Sequence, residues 1–290
     1  GFDAGSDEFG AGPPPPPPPT TDLYFSTLGT TNPPGVTGTA DDSDIHRWNG
    51  TAYNRELDLS AAPYNVPLFS NVDGFSRVDA NRFYVSFSGL TVLAGVGLVY
   101  DEDVVYFDGT SWSMWFDGSA HGVGGTIDLG AVSVVGQTLY FSTNNTAVPP
   151  GAGGTGDNAD IYRWNASAPG NSYTRVVDAS QAPFSLPNSG SATGPNNPDV
   201  DGLIVVDPTH FYLSFSNATT NVPGIGVVED EDVVYFDGTS WSVWFDGTAH
   251  GLTSNALDLD AISFAAGALA PPPPPSFSPI YFSTAGAGTV

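Results

Sequence analysis

The sequence of 290 residues contains no cysteine and no lysine. Without cysteine the chain has no disulfide, no thiolate nucleophile, no zinc–thiolate site and no haem attached through sulfur. It also has no run of about 18 apolar residues, the length that a membrane-spanning helix needs. These absences remove several classes of enzyme and receptor. They leave the cellular compartment open, because exported bacterial proteins often lack cysteine as well.

Positive charge is scarce, since six arginines face 31 acidic residues and the formal net charge is −25. Of the acids, 26 are aspartate. Such a surface repels nucleic-acid phosphates and anionic lipid headgroups, so we expect no nucleic-acid partner and no membrane insertion. It attracts cations instead. The chain begins at Gly1 rather than at methionine, and we expect a processed, secreted protein that is extracellular or located at the cell surface.

Helical patterning is nearly absent, because no window keeps apolar residues at the i, i+3, i+4 spacing of an amphipathic helix. The chain instead carries 35 glycines and 26 prolines, which interrupt helices. Runs of β-branched and aromatic residues, such as Val104–Phe107 and Trp112–Phe116, have the length of strands. Asp108-Gly109 lies between these two runs and predicts a tight hairpin turn. The sequence therefore predicts an all-β fold.

A large internal repeat dominates the chain. The segment DEDVVYFDGTSWS occurs without a change at Asp101–Ser113 and Asp230–Ser242, about 129 residues apart. A finer repeat lies within it, because DSDIHRWNG (Asp42–Gly50) and NADIYRWNA (Asn158–Ala166) occupy the place of DEDVVYFDG in two further units. Each of the four units contains four candidate strands. The units lie at about residues 22–60, 73–118, 128–178 and 199–247.

Four-stranded units in tandem predict a β-propeller in which each unit forms a radial blade. A β-solenoid or a pair of β-sandwiches is the alternative architecture. The pattern VDG…FYLSFS…DEDVVYFDGTSW…WFDGT, across roughly residues 22–284, resembles secreted bacterial β-propeller repeat proteins. The resemblance is one of architecture and repeat style. It implies a propeller without implying a particular activity.

The two ends of the chain repeat one another. FDAGSDEFGAGPPPPPPPTTDLYFST (Phe2–Thr27) aligns with LDAISFAAGALAPPPPPSFSPIYFST (Leu259–Thr284), polyproline run included. We therefore predict about four blades plus a surplus terminal half-blade. The predicted divisions are an acidic segment with a polyproline linker at 1–21, the propeller at 22–257, and a C-terminal half-blade with a second linker at 258–290.

The surplus half-blade leaves three arrangements open. The C-terminal strands can close the ring against the first blade, or a fifth and incomplete blade can form. In the third arrangement the half-blade docks into a neighbouring copy, because an open strand edge is a template for pairing with another chain. A head-to-tail contact that does not close produces a filament.

Acidic residues recur in each unit directly after a glycine- and proline-rich loop, and again where the unit starts. Several carboxylates beside loop carbonyls suit Ca²⁺, which takes six to eight oxygen ligands. The spacing matches neither an EF-hand nor a nonapeptide calcium repeat. Capping of turns by aspartate is the alternative role. The predicted calcium ligands are Asp42, Asp44, Asp101, Asp103, Asp157, Asp160, Asp201, Asp230, Asp232 and Asp260.

No residue stands out as catalytic. The acids recur in all four units, whereas a catalytic site normally breaks the symmetry of a repeat; a glycosidase pair of carboxylates is the enzymatic alternative. His121 and His250 occupy equivalent places in FDGxAHG, a pattern typical of a turn. Trp48 and Trp164 lie within strand patterns, which favours core packing over stacking on a sugar.

Two arginines also occupy equivalent places, in the RWN motifs of two units. Arg47 follows Asp44 by three residues, and Arg163 follows Asp160 by three. In so acidic a chain we expect each arginine to pair with that aspartate or a neighbouring acid, which is a structural role.

These observations predict a non-enzymatic, extracellular structural protein. In this interpretation an acidic, calcium-stabilised β-propeller self-assembles head to tail by strand exchange through its terminal half-blades, with itself as partner. The product is a cell-surface filament, matrix or adhesive. The alternative is a carbohydrate-binding module or a glycoside hydrolase that uses the propeller funnel, with glycans as partners.

Overall fold

A computed structural model describes residues 22–125, 127–167, 173–187, 197–253 and 255–265. These residues form strands and turns without an α-helix; three single turns of 3-10 helix lie at Ser119–His121, Thr248–His250 and Asn255–Leu257. No helix in this part of the chain has the length and apolar character needed to cross a membrane. The prediction of an all-β fold is confirmed.

Twenty strands are present in the described residues. They are β1 (Leu23–Thr27), β2 (Asp44–Trp48), β3 (Tyr53–Asp58), β4 (Val72–Arg77), β5 (Phe83–Phe87), β6 (Thr91–Leu93), β7 (Gly97–Val99), β8 (Val104–Phe107), β9 (Trp112–Phe116), β10 (Ala131–Val135), β11 (Thr138–Ser142), β12 (Ile161–Asn165), β13 (Tyr173–Val177), β14 (Val200–Asp207), β15 (His210–Phe215), β16 (Thr219–Val222), β17 (Gly226–Glu229), β18 (Val233–Phe236), β19 (Trp241–Phe245) and β20 (Leu259–Phe264).

Sixteen of these strands form four antiparallel, four-stranded blades. The first blade has the order β20-β1-β2-β3, the second β4-β5-β8-β9, the third β10-β11-β12-β13 and the fourth β14-β15-β18-β19. The predicted hairpin turns join the two outer strands of a blade: Gly109 and Gly238 have φ of 102° and 91°, values that glycine adopts without strain. The chain is a four-bladed β-propeller, as the repeat predicts.

The C-terminal strand β20 completes the first blade. It pairs antiparallel with β1, and Phe25 lies opposite Ile262 in the ladder. This corresponds to the first of the three arrangements for that strand, and it places β20 inside the propeller rather than in a separate half-blade. The second copies of the two junction strands, in residues 1–21 and 266–290, lie outside the described residues.

The loops between the second and third strands are more ordered than glycine and proline alone indicate. In the second and fourth blades they form extra hairpins, β6-β7 and β16-β17. Val92, Leu98 and Val227 on these hairpins are between 53% and 60% exposed. β-branched residues on both sides of a glycine turn form these strands. Because the segments are rich in glycine, composition alone predicts loops there.

Each pair of neighbouring blades encloses its own apolar cluster. Phe75 and Phe83 of the second blade pack with Tyr24 of the first, and equivalent clusters join the second to the third, the third to the fourth and the fourth to the first blade. Burying one phenylalanine stabilises the fold by about 1.5–3 kcal/mol. Because the fourth blade also packs on the first, the ring is closed.

Serine hydroxyls link neighbouring blades close to the axis. Ser26 donates to the carbonyl oxygen of Val72 at 3.0 Å, and two equivalent links run from Ser142 to Val200 and from Ser214 to Leu259. These bonds satisfy buried polar groups that the inner strands leave at their edges. They hold the starts of the innermost strands β4, β14 and β20 around the axis.

Candidate metal sites at the blade ends and the propeller axis

The ten predicted calcium ligands lie in two kinds of place. Eight belong to the turns that lead into the third strand of each blade, where Asp44 is the first residue of β2, and Asp201 and Asp260 lie on the innermost strands β14 and β20. The eight turn residues are Asp42, Asp44, Asp101, Asp103, Asp157, Asp160, Asp230 and Asp232.

One aspartate of each turn caps its own blade. The two carboxylate oxygens of Asp103 accept the backbone N–H groups of Tyr100 and Gly118, both at 2.9 Å. The carboxylate of Asp232 accepts two equivalent bonds, at 3.0 Å each. Such bonds fasten the loop before the third strand to the end of the fourth strand. These aspartates therefore cap turns, which is the role that the sequence suggests as the alternative to calcium binding.

Equivalent caps occur in the first and third blades. Asp160 accepts the N–H groups of Asp157 and Ala179, and Asp44 accepts that of Asp41. All four of these capping aspartates are buried. Burial raises the pKa of Asp44, and that of Asp160, to about 7.

In the first and third blades the acidic turns enclose an arginine, and we call these two groups the arginine boxes. Arg55 contacts Asp44 at 3.0 Å, and Arg175 contacts Asp160 at 2.9 Å. Each box holds three acidic oxygens within 4.8 Å of one another, from Asp41, Asp44 and Asp58 or from Asp157, Asp160 and Asp178. A cation bound in a box would have to displace the guanidinium or share its carboxylates.

The arginine in each box differs from the one that the sequence predicts. Arg47 pairs with Asp22 at 2.7 Å rather than with Asp44. The reason is the two-residue period of a strand, which turns side chains three positions apart to opposite faces. Arg55 lies opposite His46 in the β2–β3 ladder, on the face that Asp44 occupies. The expected pairing of Arg47 with Asp44 is therefore wrong. A structural pairing with other nearby acids, the alternative in that prediction, is present with Asp22 and Glu56.

The second and fourth blades have no arginine in this place. Met114 and Val243 stand where Arg55 and Arg175 stand in the other two blades. The adjoining acids are nevertheless buried, and burial raises the pKa of Glu102 to about 7. Burial likewise raises the pKa of Asp230 to about 7, and a hydrogen bond shared with Glu231 adds to the rise.

The innermost strands carry a second acidic group at the propeller axis. Asp201 and Asp260 are joined there by Asp73 of β4, and these three aspartates are between 3% and 6% exposed. Burial raises the pKa of Asp260 to about 7. Asp128, Asp199 and Asp258 precede these strands or their equivalents in neighbouring blades. The sequence repeat already marks this second set of acids at the start of each unit.

The tryptophan candidates lie in the core, and two half-buried histidines pack against them. Trp48 and Trp164 are 7% and 5% exposed. The ring of His250 stacks on Phe245 and meets the edge of Trp48 at 5.0 Å between ring centroids, and the ring of His121 contacts Trp164 at 4.8 Å in a tilted arrangement. The predictions of core packing for the tryptophans and of turn structure for the histidines are confirmed.

The other end of the axis holds a small cavity. Arg77 and the serines Ser76, Ser133 and Ser263 line it, together with apolar side chains, and its volume is about 50 Å³. That volume holds a few water molecules. Sites for small organic ligands commonly measure about 300–1,000 Å³, so this cavity does not hold a sugar ring.

Comparisons with known proteins return only distant structural likeness. No family model matches the chain, and no curated protein matches it. Among solved structures, the nidogen–laminin complex matches at 10% identity, covering 84% of this chain and 98% of that chain, with a TM-score of 0.39. YCF48 bound to D1 peptide matches at 10% identity over 72% of this chain, with a TM-score of 0.29.

The β-propeller domain of the Trilobed protease from Pyrococcus furiosus matches at 10% identity over 73% of this chain, with a TM-score of 0.25. This chain spans about half the length of the YCF48 and Trilobed protease chains, 48% and 46% respectively. At these scores the likeness supports no functional comparison. The assignment of the fold rests on the strand pairing of the chain itself.

Proposed function

We propose that the chain is a non-enzymatic, extracellular structural protein, a calcium-stabilised acidic propeller that joins its copies head to tail by strand exchange. The observation that carries the proposal is the construction of the first blade. Its innermost strand, β20, comes from the opposite end of the sequence to its neighbour β1. The same two strands have second copies in the sequence, within residues 1–21 and 266–290.

Strand exchange needs an element that can leave its own ring and complete another. β20 is suited to this, because it follows the last complete blade and, among the described strands, its one ladder partner is β1. When β20 of one copy completes the first blade of the next, the exchanged contacts are the same as those in the closed ring. Exchange of an identical element is a low-cost route to assembly. The neighbouring proline runs cannot extend a sheet ladder, and so they limit the pairing to the strand itself.

A reversible lock on the first blade tests strand exchange. Ser26 and Ala261 face each other in the β1–β20 ladder, a separation that suits a disulfide. Because the chain has no cysteine, the full-length double variant Ser26→Cys/Ala261→Cys forms a single defined bond when it is oxidised in dilute solution. Oxidised and reduced samples are then concentrated with calcium and compared by sedimentation velocity and electron microscopy.

The wild-type chain and the reduced variant are expected to form oligomers whose size grows with concentration, while the oxidised variant stays monomeric. A wild-type chain that is strictly monomeric at high concentration with calcium overturns the proposed assembly. Equal assembly of the oxidised and reduced variant overturns strand exchange as its route.

The rival function, glycan binding or glycoside hydrolysis at the axis, finds less support in the geometry. The tryptophans that a sugar would stack on are buried between blades, and the axial cavity of about 50 Å³ is smaller than a sugar subsite. A glycan array and a glycosidase screen on the full chain test the rival. Saturable sugar binding or turnover would replace the structural proposal.

A further inference from the structure

Aspartates from three parts of the repeat converge at one end of the propeller axis. The innermost strands supply the first part, and the residues directly before these strands supply the second. The third part comes from the turn before a third strand, because the carbonyl oxygens of Asp42, Asp101 and Asp230 accept backbone N–H groups from the start of the next blade's innermost strand, at 3.0–3.2 Å. We call the group the axial acidic cluster. Its members are Asp42, Asp73, Asp101, Asp128, Asp199, Asp201, Asp230, Asp258 and Asp260.

Several of these carboxylates are buried with an oxygen that has no partner. Asp73, Asp201, Asp258 and Asp260 are between 3% and 6% exposed. In each, one carboxylate oxygen is fully buried and receives no hydrogen bond. Asp42, Asp128 and Asp199 each add a further buried oxygen without a partner. A buried acceptor left without a donor costs about 1–3 kcal/mol, and a charged one costs more, so each such oxygen needs an explanation.

Neutral side chains hold some of these carboxylates in place by the other oxygen. The hydroxyl of Ser214 shares its one hydrogen between the carbonyl oxygen of Leu259, at 2.9 Å, and Oδ1 of Asp201, at 3.1 Å, while Oδ2 of Asp201 is the oxygen without a partner. The amide of Asn144 donates to Oδ2 of Asp128 at 2.7 Å, while Oδ1 lacks one. A carboxylate anchored in this way has a fixed orientation and one oxygen free, which is the arrangement of a metal ligand.

No arginine neutralises the cluster. Every ion pair that the described residues make uses other acids, such as those of the arginine boxes, and none uses a member of the axial acidic cluster. Neighbouring carboxylates repel, and the Coulomb fields of Asp258 and Asp260 act on Asp201. Buried charges in proteins are paired or coordinate a metal.

We propose that the axial acidic cluster holds a hydrated divalent cation, Ca²⁺, among the unpartnered oxygens of Asp73, Asp201, Asp258 and Asp260. Within the part of the chain that the structure describes, three acidic oxygens approach within 4.8 Å in the arginine boxes and not at the axis. Two oxygens bound to one calcium ion lie at most about 5 Å apart, so the ion contacts no more than two of these carboxylates directly, and water fills its other positions and links it to the remaining ones. Zinc requires four ligands in a tight tetrahedron.

This inference deepens the proposed function, because it rests on the calcium stabilisation and places the ion; it does not use strand exchange. The two parts fail separately. A monomeric chain that binds calcium at the axis overturns the assembly and leaves the site standing. A chain that assembles without binding calcium overturns the site.

Two measurements on the full chain test the site. One is calorimetric titration with CaCl₂ after metal has been removed with EDTA, and the other is thermal melting. The test variant is Asp201→Asn/Asp260→Asn, in which both side chains keep their shape and lose their charge. The matched control is Asp108→Asn/Asp237→Asn, which removes the same charge from two exposed hairpin turns. A single variant, Asp73→Asn, provides a second measurement if the double variant does not fold.

The wild type and the control are expected to bind calcium and to melt at a higher temperature with calcium than with EDTA. The axial variants are expected to bind at least about ten-fold more weakly, a loss of about 1.4 kcal/mol, and to lose the calcium-dependent rise. In EDTA the axial variants should melt above the wild type, because the substitution removes repulsion; a purely structural role for the carboxylates gives the opposite sign. Absence of calcium binding by the wild type, or equal binding by wild type and axial variants, overturns the proposal.

Discussion

At the residue scale, one amino-acid type performs three tasks in this protein. Aspartate caps the turns before the third strands, as Asp103 does through two backbone N–H groups. It also surrounds Arg55 and Arg175 in the arginine boxes. At the axis it carries buried oxygens without partners. What distinguishes the tasks is the partner that the fold brings to each carboxylate.

Replacement of the arginine in the third-blade box tests its structural task. The second blade has Met114 in the equivalent place, so the substitution Arg175→Met places a side chain there that the fold already accepts. It leaves Asp160, which is fully buried, without its cation. We expect the free energy of unfolding at pH 9, above the Asp160 pKa of about 7, to fall by about 3 kcal/mol, because removal of one partner of a buried pair leaves an uncompensated charge.

Urea denaturation measures the loss. The matched control is Arg82→Met, whose ion pair with Asp79 is exposed on both sides and is expected to contribute less than about 1 kcal/mol. Equal effects of the two substitutions would show that the box is not a buried ion pair in solution.

At the element scale, the innermost strands pack closely because small residues lie where they meet the next blade. Gly74, Ala131, Gly202 and Ala261 occupy equivalent places on β4, β10, β14 and β20. Sequence alternation and the Asp-Gly turns predict most of these strands. The hairpins β6-β7 and β16-β17 escaped prediction, because three- or four-residue strands around glycine resemble a loop in composition alone.

The close approach at Gly74 leads to a prediction. A Cβ atom there would lie 2.4 Å from the hydroxyl oxygen of Ser86 and 2.5 Å from a methyl group of Val132 in the third blade. We expect Gly74→Ala to lower the free energy of unfolding by about 1–3 kcal/mol, because β4 and β10 must move apart. Thermal melting measures the change. Gly89→Ala, which meets open space, serves as the control, and a loss of similar size in both variants would contradict the packing explanation.

At the scale of the whole molecule, the concentration of buried acid at the axis makes stability depend on pH. Burial, followed by repulsion from Asp260, raises the pKa of Asp258 to about 9, whereas an unfolded chain has an aspartate pKa of about 3.9. Between these values the folded chain binds more protons than the unfolded chain, so its free energy of unfolding falls as the pH rises. Calcium would remove the dependence by replacing the protons.

In EDTA we expect the free energy of unfolding to fall by at least about 2 kcal/mol between pH 7 and pH 9, the contribution of Asp258 alone, because the other buried acids with a raised pKa add to the fall. His46 does not contribute in this range, since burial lowers its pKa to about 4 and it is neutral in both states above pH 7. Urea denaturation at the two pH values, with EDTA and with excess calcium, measures the effect. A stability that is constant or rises from pH 7 to pH 9 in EDTA would contradict the buried axial charge.

The sequence by itself determined the features that depend on neighbours along the chain. Alternation of apolar residues specifies the strands, Asp108-Gly109 and its equivalents specify the turns, and the fourfold repetition of one unit specifies the number of blades. These signals lie within a few residues of one another. Because these signals are local, they show that acids recur in every unit, but they do not show which side chain or backbone group each acid contacts in the folded chain.

Only the tertiary structure decided how distant residues meet. The partner of β1 is β20, more than 230 residues away, because closing the ring buries the interface between the first and fourth blades. The register of the β2–β3 ladder assigns Arg55 rather than Arg47 to the first arginine box. Closure of the ring also brings aspartates from all four blades to one end of the axis, where burial strengthens the repulsion among them; the calcium ion that we propose would relieve this repulsion.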